Sequence, residues 1–129
     1  MTSSTPVAAG PQSIYLVNGN ISVNAETRTN YAFNVTPNMK NVSVVGKFST
    51  FGGAPNAIEV YIMDDATYTK WVKGLTVRIL FDSQSLSSGD IDQAIPTPGK
   101  YYLIFANYHP ASLSPAQQVS TSIELKWVN

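Results

Sequence analysis

The sequence predicts an all-β fold, an antiparallel β-sandwich of about eight or nine strands arranged as a jelly roll or a related Greek key. Three observations support this class. Val, Ile and Thr, which favour strands, number 12, 9 and 11. Short segments with apolar side chains at every second position recur along the chain and are separated by turn residues. Only one segment changes to helical spacing, so the pattern lacks the helices that alternate with strands in a parallel sheet.

The first half of the chain predicts five strands. Ile14–Val17 precedes Asn18-Gly19, a dipeptide typical of hairpin turns, so we expect a second strand with Ile21 and Val23 directly after it. Alternating apolar residues predict three further strands at 31–35, 42–48 and 58–63. Gly46 is a candidate bulge within the second of these, because glycine inside a strand often marks one.

One short helix is predicted near residues 65–73. Asp64 and Asp65 precede Tyr68 and Trp71, which stand at helical spacing, and Gly74 follows. An acidic residue caps a helix N-terminus, and glycine ends a helix because it adopts the left-handed conformation without strain. We expect this helix to close an open end of the β core.

The second half of the chain predicts four more strands. They lie around residues 77–81, 91–95, 101–106 and 119–127. The third of these is apolar at consecutive positions, so we expect it to be central and covered on both faces. The last one alternates cleanly between apolar and polar residues, as does a strand with one buried and one solvated face.

Residues 1–11 are predicted to be a flexible N-terminal tether, and residues 12–129 a single domain. The tether has neither the basic nor the apolar segment of a signal peptide. We expect an exported protein, periplasmic, secreted or at the cell surface, whose signal has been removed, although the sequence leaves a cytoplasmic location open. No apolar run approaches the ~20 residues of a membrane-spanning helix, so membrane insertion is not expected.

Charge and reactive side chains exclude several functions. Eight basic residues balance eight acidic ones, and charged residues make up only 12% of the chain, which leaves no basic surface for nucleic acid. There is no cysteine, so disulfides and thiol catalysis are excluded. The single histidine, His109, would have to meet a serine and an aspartate to form a hydrolase triad, and no Gly-x-Ser-x-Gly motif is present. We therefore predict no enzyme and no cofactor, with a small hydrolase as an alternative.

Two sets of residues are candidates for ligand binding. Four tyrosines fall on strand or loop positions opposite the predicted core, where their rings could contact a glycan or a protein: Tyr15, Tyr61, Tyr102 and Tyr108. The alternative for these tyrosines is packing under loops or the helix. Asp90 and Asp92, at i and i+2 on one strand face, are candidate calcium ligands, with a solvated strand face as the alternative.

Two segments, Ala57–Met63 and Ile95–Asn107, carry a family resemblance. Together they resemble the GOLD-like sandwiches related to the luminal domain of the p24 (emp24) proteins. The resemblance implies a sandwich with a non-catalytic, extracytoplasmic or interaction role. It also implies fold-defining positions at Gly99, Tyr101, Leu103, Phe105 and Asn107. This chain lacks the cysteine pair, coiled coil and membrane anchor of the p24 proteins, so their cargo-receptor role does not carry over.

These expectations together predict a non-catalytic exported interaction module that binds a protein at a cell surface or in the periplasm. A carbohydrate-binding module that uses the surface tyrosines is the alternative. Edge strands and a net charge of zero also make a homo-oligomer possible. The residues do not identify the ligand or partner.

Overall fold

The structure, a computed structural model, describes residues 10–51, 56–108 and 116–129. Its eight strands are β1 (Pro11–Asn24), β2 (Thr27–Val35), β3 (Lys40–Phe51), β4 (Glu59–Asp64), β5 (Phe81–Asp82), β6 (Ser88–Ala94), β7 (Gly99–Asn107) and β8 (Ala116–Val128). One helix, α1 (Asp65–Trp71), lies between β4 and β5. Within these ranges no helix is long and apolar enough to cross a membrane. Residues 1–9 of the predicted tether lie outside the described residues, and Pro11 already begins β1.

The strands form two antiparallel sheets in the jelly-roll order. Sheet A has the order β1-β8-β3-β6, and sheet B has the order β2-β7-β4-β5. The pairs β1 with β8, β2 with β7, β3 with β6 and β4 with β5 are those of a long hairpin wound into two sheets. The predicted β-sandwich class, with about eight strands and one short helix, is confirmed.

The core lies between the two sheets and is built from alternate residues of their strands. Phe48 of β3 meets Phe105 of β7 edge to face, with 6.5 Å between ring centroids. Phe33 stacks on Tyr101 at 5.6 Å, and both side chains are buried. Such aromatic pairs fill the space between the sheets with large apolar groups, and the burial of this surface is the main force that stabilises the sandwich.

Strand β7 is central and covered on both faces, as predicted. Leu103 and Phe105 point into the core, whereas Ile104 and Ala106 alternate with them toward the other face, and all four are at most 1% exposed. At the end of the strand the Asn107 side chain is fully buried, and its Nδ2 donates to the Val23 carbonyl of β1 at 3.0 Å. This bond joins sheet B to sheet A.

The predicted hairpin at Asn18-Gly19 is wrong. Strand β1 runs through this dipeptide and pairs with β8 from Pro11 to Asn24. Gly19 has φ 128, a value that suits glycine, and its carbonyl accepts from Thr121 Oγ1 at 2.7 Å. The chain reverses instead near Glu26, at φ 59, and crosses to sheet B. Long-range pairing with β8 therefore overrides a local turn preference.

The predicted short helix is confirmed as α1, with the Asp64 cap and the Gly74 stop, but it ends at Trp71 instead of residue 73 and its expected position is wrong. The Asp64 carboxylate accepts from the Thr67 amide at 2.7 Å and caps the N-terminus. Gly74, at φ 80, donates to the Trp71 carbonyl and Leu75 to the Lys70 carbonyl, which is the Schellman pattern of a glycine stop. The helix does not close an end of the core, because its rings pack on the outer face of sheet B.

The strand expected at 77–81 is reduced to Phe81–Asp82. Ile79 packs against the cluster under α1 instead of pairing in a sheet. Strand β6 begins earlier than expected, at Ser88, and ends at Ala94.

Gly46 is not a bulge, because its register is unbroken toward both β6 and β8. The residue is instead required by close packing of the backbone. A Cβ added at this position would lie 2.1 Å from the Ser122 carbonyl oxygen and 2.6 Å from Ile123 Cα. Both are main-chain atoms of β8, so neither can rotate away.

We predict that Gly46→Ala lowers the free energy of unfolding by about 2 to 3 kcal/mol, because β8 must move to admit the methyl group. Gly10→Ala is the matched control, since a Cβ there meets nothing within 4 Å. Its effect should stay within about 0.5 kcal/mol. Urea unfolding followed by circular dichroism measures both, and equal stability of the two variants would contradict the assignment.

Candidate functional site

The most aromatic surface of the described structure lies on the outer face of sheet B, where α1 crosses the strands. We call it the α1 face. It consists of Arg28 and Asn30 from β2, Tyr61 from β4, Tyr68 and Trp71 from α1, and Tyr102 from β7.

The α1 face exists because sheet B is apolar on its outer side as well as its inner side. Met63, Ile104 and Ala106 form a second buried cluster there, at most 1% exposed. Tyr68 and Trp71, at i and i+3 on one side of the helix, pack onto this cluster. The short helix therefore supplies the cover that these strands need, and its two rings remain partly exposed at the surface.

The rings of the α1 face contact one another in a chain. Tyr102 and Tyr68 are 4.2 Å apart between centroids, and Tyr68 and Trp71 are 6.2 Å apart. Below them, Tyr61 lies 5.4 Å from Trp71. The Arg28 guanidinium lies over the Trp71 ring at 5.1 Å and near the Tyr68 ring at 5.9 Å, both within the range of a cation–π interaction.

Hydrogen bonds fix the orientation of these rings. The Asn30 side-chain amide donates to the Tyr68 hydroxyl at 2.7 Å, and the Tyr102 hydroxyl donates to the Asp65 carboxylate at 3.0 Å. Lys100 lies above the Tyr102 ring, with its Nζ 5.3 Å from the centroid. The polar tips of the tyrosines are therefore bonded across elements, from β2 to α1 and from β7 to α1.

Tyr61, one of the four predicted tyrosines, is a buried support of this face. It is 7% exposed beneath Trp71, and its hydroxyl donates to the Glu59 carboxylate. Burial raises the pKa of the Tyr61 hydroxyl well above its usual value, and the bond to Glu59 raises it further. The position of Tyr61 therefore matches the alternative given for the four tyrosines, which is packing under the helix.

The other three predicted tyrosines do not share one surface. Tyr102 belongs to the α1 face and is half-buried. Tyr108, just after β7, is 48% exposed, and partial burial raises the pKa of its hydroxyl. Tyr15 is 56% exposed on β1 of sheet A, in register with Glu124 on the outer side. The structure thus separates Tyr15 from the tyrosines of sheet B.

The two candidate calcium ligands lie on the outer face of sheet A. Asp90 and Asp92 are exposed on β6, and Asp90 stands opposite Lys47 of β3 in the register. Among the described residues, no group of three or more His, Asp or Glu side chains comes together as a metal site. His109, on which a hydrolase triad would depend, lies outside the described residues.

A cleft of about 270 Å³ beside the start of α1 is an alternative site. It is lined by Asp64, Arg78, Thr97 and Tyr101, among others. The Asp64 carboxylate already caps the helix, and the Tyr101 hydroxyl already donates to the Thr97 carbonyl at 2.7 Å. Tyr101 is also buried, whereas the α1 face presents Arg28, Tyr68, Trp71 and Tyr102 at the surface.

Four residues of the α1 face were not predicted as site residues. In the sequence, Tyr68 and Trp71 stand at helical spacing, which predicts packing of a helix, and no motif marks Arg28 or Asn30. The sequence did contain one indication of a surface site, because Tyr68 and Trp71 are large aromatic residues on a helix too short to bury both of them. Arg28 could not have been placed beside them without knowing that side chains of β2 reach the rings of α1.

Comparison with models of known protein families gives no match, and comparison with curated proteins gives none either. Among solved structures, the chain is similar to the crystal structure of FLHE, with 13% sequence identity and a TM-score of 0.46. The likeness covers 94% of this chain and 100% of that one. At this sequence identity and TM-score, the likeness supports no conclusion about function. The GOLD-like resemblance stays a prediction, since none of these comparisons bears on it.

The raised pKa of Tyr61 predicts a pH dependence of stability. Above pH 10, the ordinary pKa of tyrosine, the Tyr61 hydroxyl loses its proton in the unfolded chain but keeps it in the folded protein. The unfolded state is therefore favoured, and stability falls as the pH rises. We expect the free energy of unfolding of Tyr61→Phe to fall less steeply than that of the wild type between pH 10 and about 11.5. The fall does not vanish, because Tyr31 and Tyr108 also have raised pKa values.

The measurement is urea unfolding at several pH values. At pH 7 the difference in free energy of unfolding between Tyr61→Phe and the wild type reflects only the loss of the bond to Glu59. This difference serves as the baseline. Parallel curves for wild type and variant above pH 10 would contradict the burial of the Tyr61 hydroxyl.

Proposed function

We propose that this protein is a non-catalytic, exported binding module that recognises a protein partner through the α1 face. The observation that supports this most strongly is the Arg28 guanidinium held against Trp71 and Tyr68 at the surface. Arg, Trp and Tyr are the side chains that most often dominate the binding energy of protein interfaces. Here all three are adjacent and still partly open to solvent.

Preorganisation of the α1 face supports the proposal. Binding costs free energy when mobile side chains must be ordered, by about 0.5 to 1.5 kcal/mol for each one. Tyr68 and Tyr102 are already held by bonds to Asn30 and Asp65, and they lie against each other at 4.2 Å. A partner that docks here would meet side chains with little freedom left to lose.

Ring geometry favours a protein over a glycan. A sugar binds an aromatic platform by laying its C–H groups on a free ring face. Arg28 lies over Trp71, while Tyr68 and Tyr102 lie against each other, so these rings present mainly edges and polar tips. The carbohydrate alternative depends instead on Tyr15 and Tyr108, which are more exposed, but Tyr15 lies on β1 of sheet A whereas Tyr108 follows β7 of sheet B. A glycan array that gives a hit lost in Tyr15→Ala or Tyr108→Ala would favour that alternative.

Export is proposed from the composition. Only 12% of the residues are charged and none is cysteine, while Ser, Thr and Asn number 14, 11 and 10. Expression of the complete gene in its host, followed by fractionation of the cells, tests the location. Recovery of the protein in the cytosolic fraction alone would contradict export without touching the binding proposal.

Photo-crosslinking tests the binding surface. A photoreactive phenylalanine analogue replaces Lys70 in one variant and Ser120 in another. Lys70 is exposed on α1 beside Trp71, so the probe leaves Arg28 in place. Ser120 is the matched control, since it is also exposed but lies on sheet A. We expect a discrete adduct with a protein from position 70 and none from position 120. Adducts from position 120 alone would place the binding surface on sheet A and contradict the proposal.

Affinity then tests the residues. With the crosslinked partner purified, we expect Arg28→Ala to raise the Kd about tenfold or more, as hot-spot truncations do. Ser120→Ala should leave the Kd within about twofold. Equal affinities of the two variants would contradict the proposed role of the α1 face.

A further inference from the structure

Strand β2 forms the one long, unprotected edge of the described sandwich. A sheet edge exposes unpaired N–H and C=O groups, and natural proteins protect such edges with charges, proline, bulges or very short strands. Three of the four edges here carry such features. Strand β1 begins with Pro11 and has a register shift between Tyr15 and Val17, β5 has two residues, and β6 carries Asp90 and Asp92.

Strand β2 carries none of these features except one charge. Its nine residues pair with β7 without any break in register, from Thr27 opposite Asn107 to Val35 opposite Gly99. It contains no proline, glycine or lysine, and Arg28 is its only charged residue. On its other side no described strand pairs with it. Its backbone is therefore regular, and no described strand covers that side.

The sequence of β2 is compatible with antiparallel pairing to itself. When two copies are centred on Tyr31, all nine residues pair, and side chains of the same face meet. The outward row then places Arg28 opposite Asn34 and Asn30 opposite Ala32 of the second copy. The inward row places Thr29 opposite Phe33 and Tyr31 opposite itself. No like charges meet, and a shift of two residues would leave part of each strand unpaired.

We propose that the protein forms a symmetric dimer by pairing β2 with β2 of a second copy. The pairing joins the two B sheets into one continuous sheet of eight strands. Net charge supports the second copy as the occupant, since eight basic and eight acidic residues leave no net repulsion between copies.

The dimer would also place two α1 faces on the same side. The two-fold axis of an in-plane antiparallel pair is perpendicular to the sheet, so equivalent faces stay together. Arg28 and Asn30 of β2 belong to the α1 face, so the two copies of this face would lie on either side of the seam. The dimer does not depend on the proposed function, because its test reads molecular mass alone.

Charge at position 34 provides the test, because this residue faces Arg28 of the second copy only in the proposed register. Asn34 is exposed, so it tolerates either sign. Asn34→Glu creates two opposite-charge pairs across the seam, whereas Asn34→Arg creates two like-charge pairs. We expect dimer dissociation constants that differ by about tenfold or more between these variants, tighter for Glu. The double variant Arg28→Glu with Asn34→Arg should restore dimerisation.

Sedimentation velocity of the full chain over a range of concentrations measures the association. Thermal unfolding of each variant controls for the fold, because Lys100 stands opposite Asn34 within the same copy and responds to the same charges. A chain that stays monomeric, or a dimer indifferent to the sign at position 34, would overturn the proposal. So would dimerisation only after removal of residues 1–9, because that segment would then be what covers the edge.

Discussion

The central constraint on this fold is that strand β7 is apolar on both faces. One face of a sandwich strand normally points to solvent, but Ile104 and Ala106 on the outer side of β7 are at most 1% exposed. Full burial of an isoleucine side chain is worth about 1.5 to 3 kcal/mol, so these residues must be covered by another layer. Seven residues of helix, Asp65–Trp71, provide it. Sheet B therefore has cover on both sides, whereas the outer face of sheet A is largely polar.

The candidate site follows from the same constraint. A helix of seven residues has room for few large side chains, so Tyr68 and Trp71 do most of the covering and remain partly exposed while doing so. Tyr102 of β7 and Arg28 of the neighbouring strand β2 complete the surface. Packing thus places Arg, Tyr and Trp together on a rigid support, and rigid aromatic and arginine side chains are what protein recognition uses.

Local chemistry predicted some parts of the structure well and others poorly. The helix ends were predictable because Asp64 and Gly74 act on neighbours in sequence, and β7 because its residues are apolar at consecutive positions. The prediction of a turn at Gly19 was wrong because β8, far away in the sequence, pairs with β1 on both sides of this residue. Packing under the helix was one of two interpretations open for all four tyrosines, and the sequence could not show that it applies to Tyr61, since this depends on which face α1 covers. Sequence patterns show that a residue faces away from the core, but they do not show what else lies there.

The most direct test of this account asks whether α1 belongs to the cooperative fold. In a Trp127→Phe variant, Trp71 is the only tryptophan and reports the packing of the helix on sheet B. We predict that its fluorescence changes in the same urea transition as the β-sheet signal in circular dichroism, as in two-state unfolding. A Trp71 transition at clearly lower urea would contradict the claim, because the outer face of β7 would then not need the helix to remain folded.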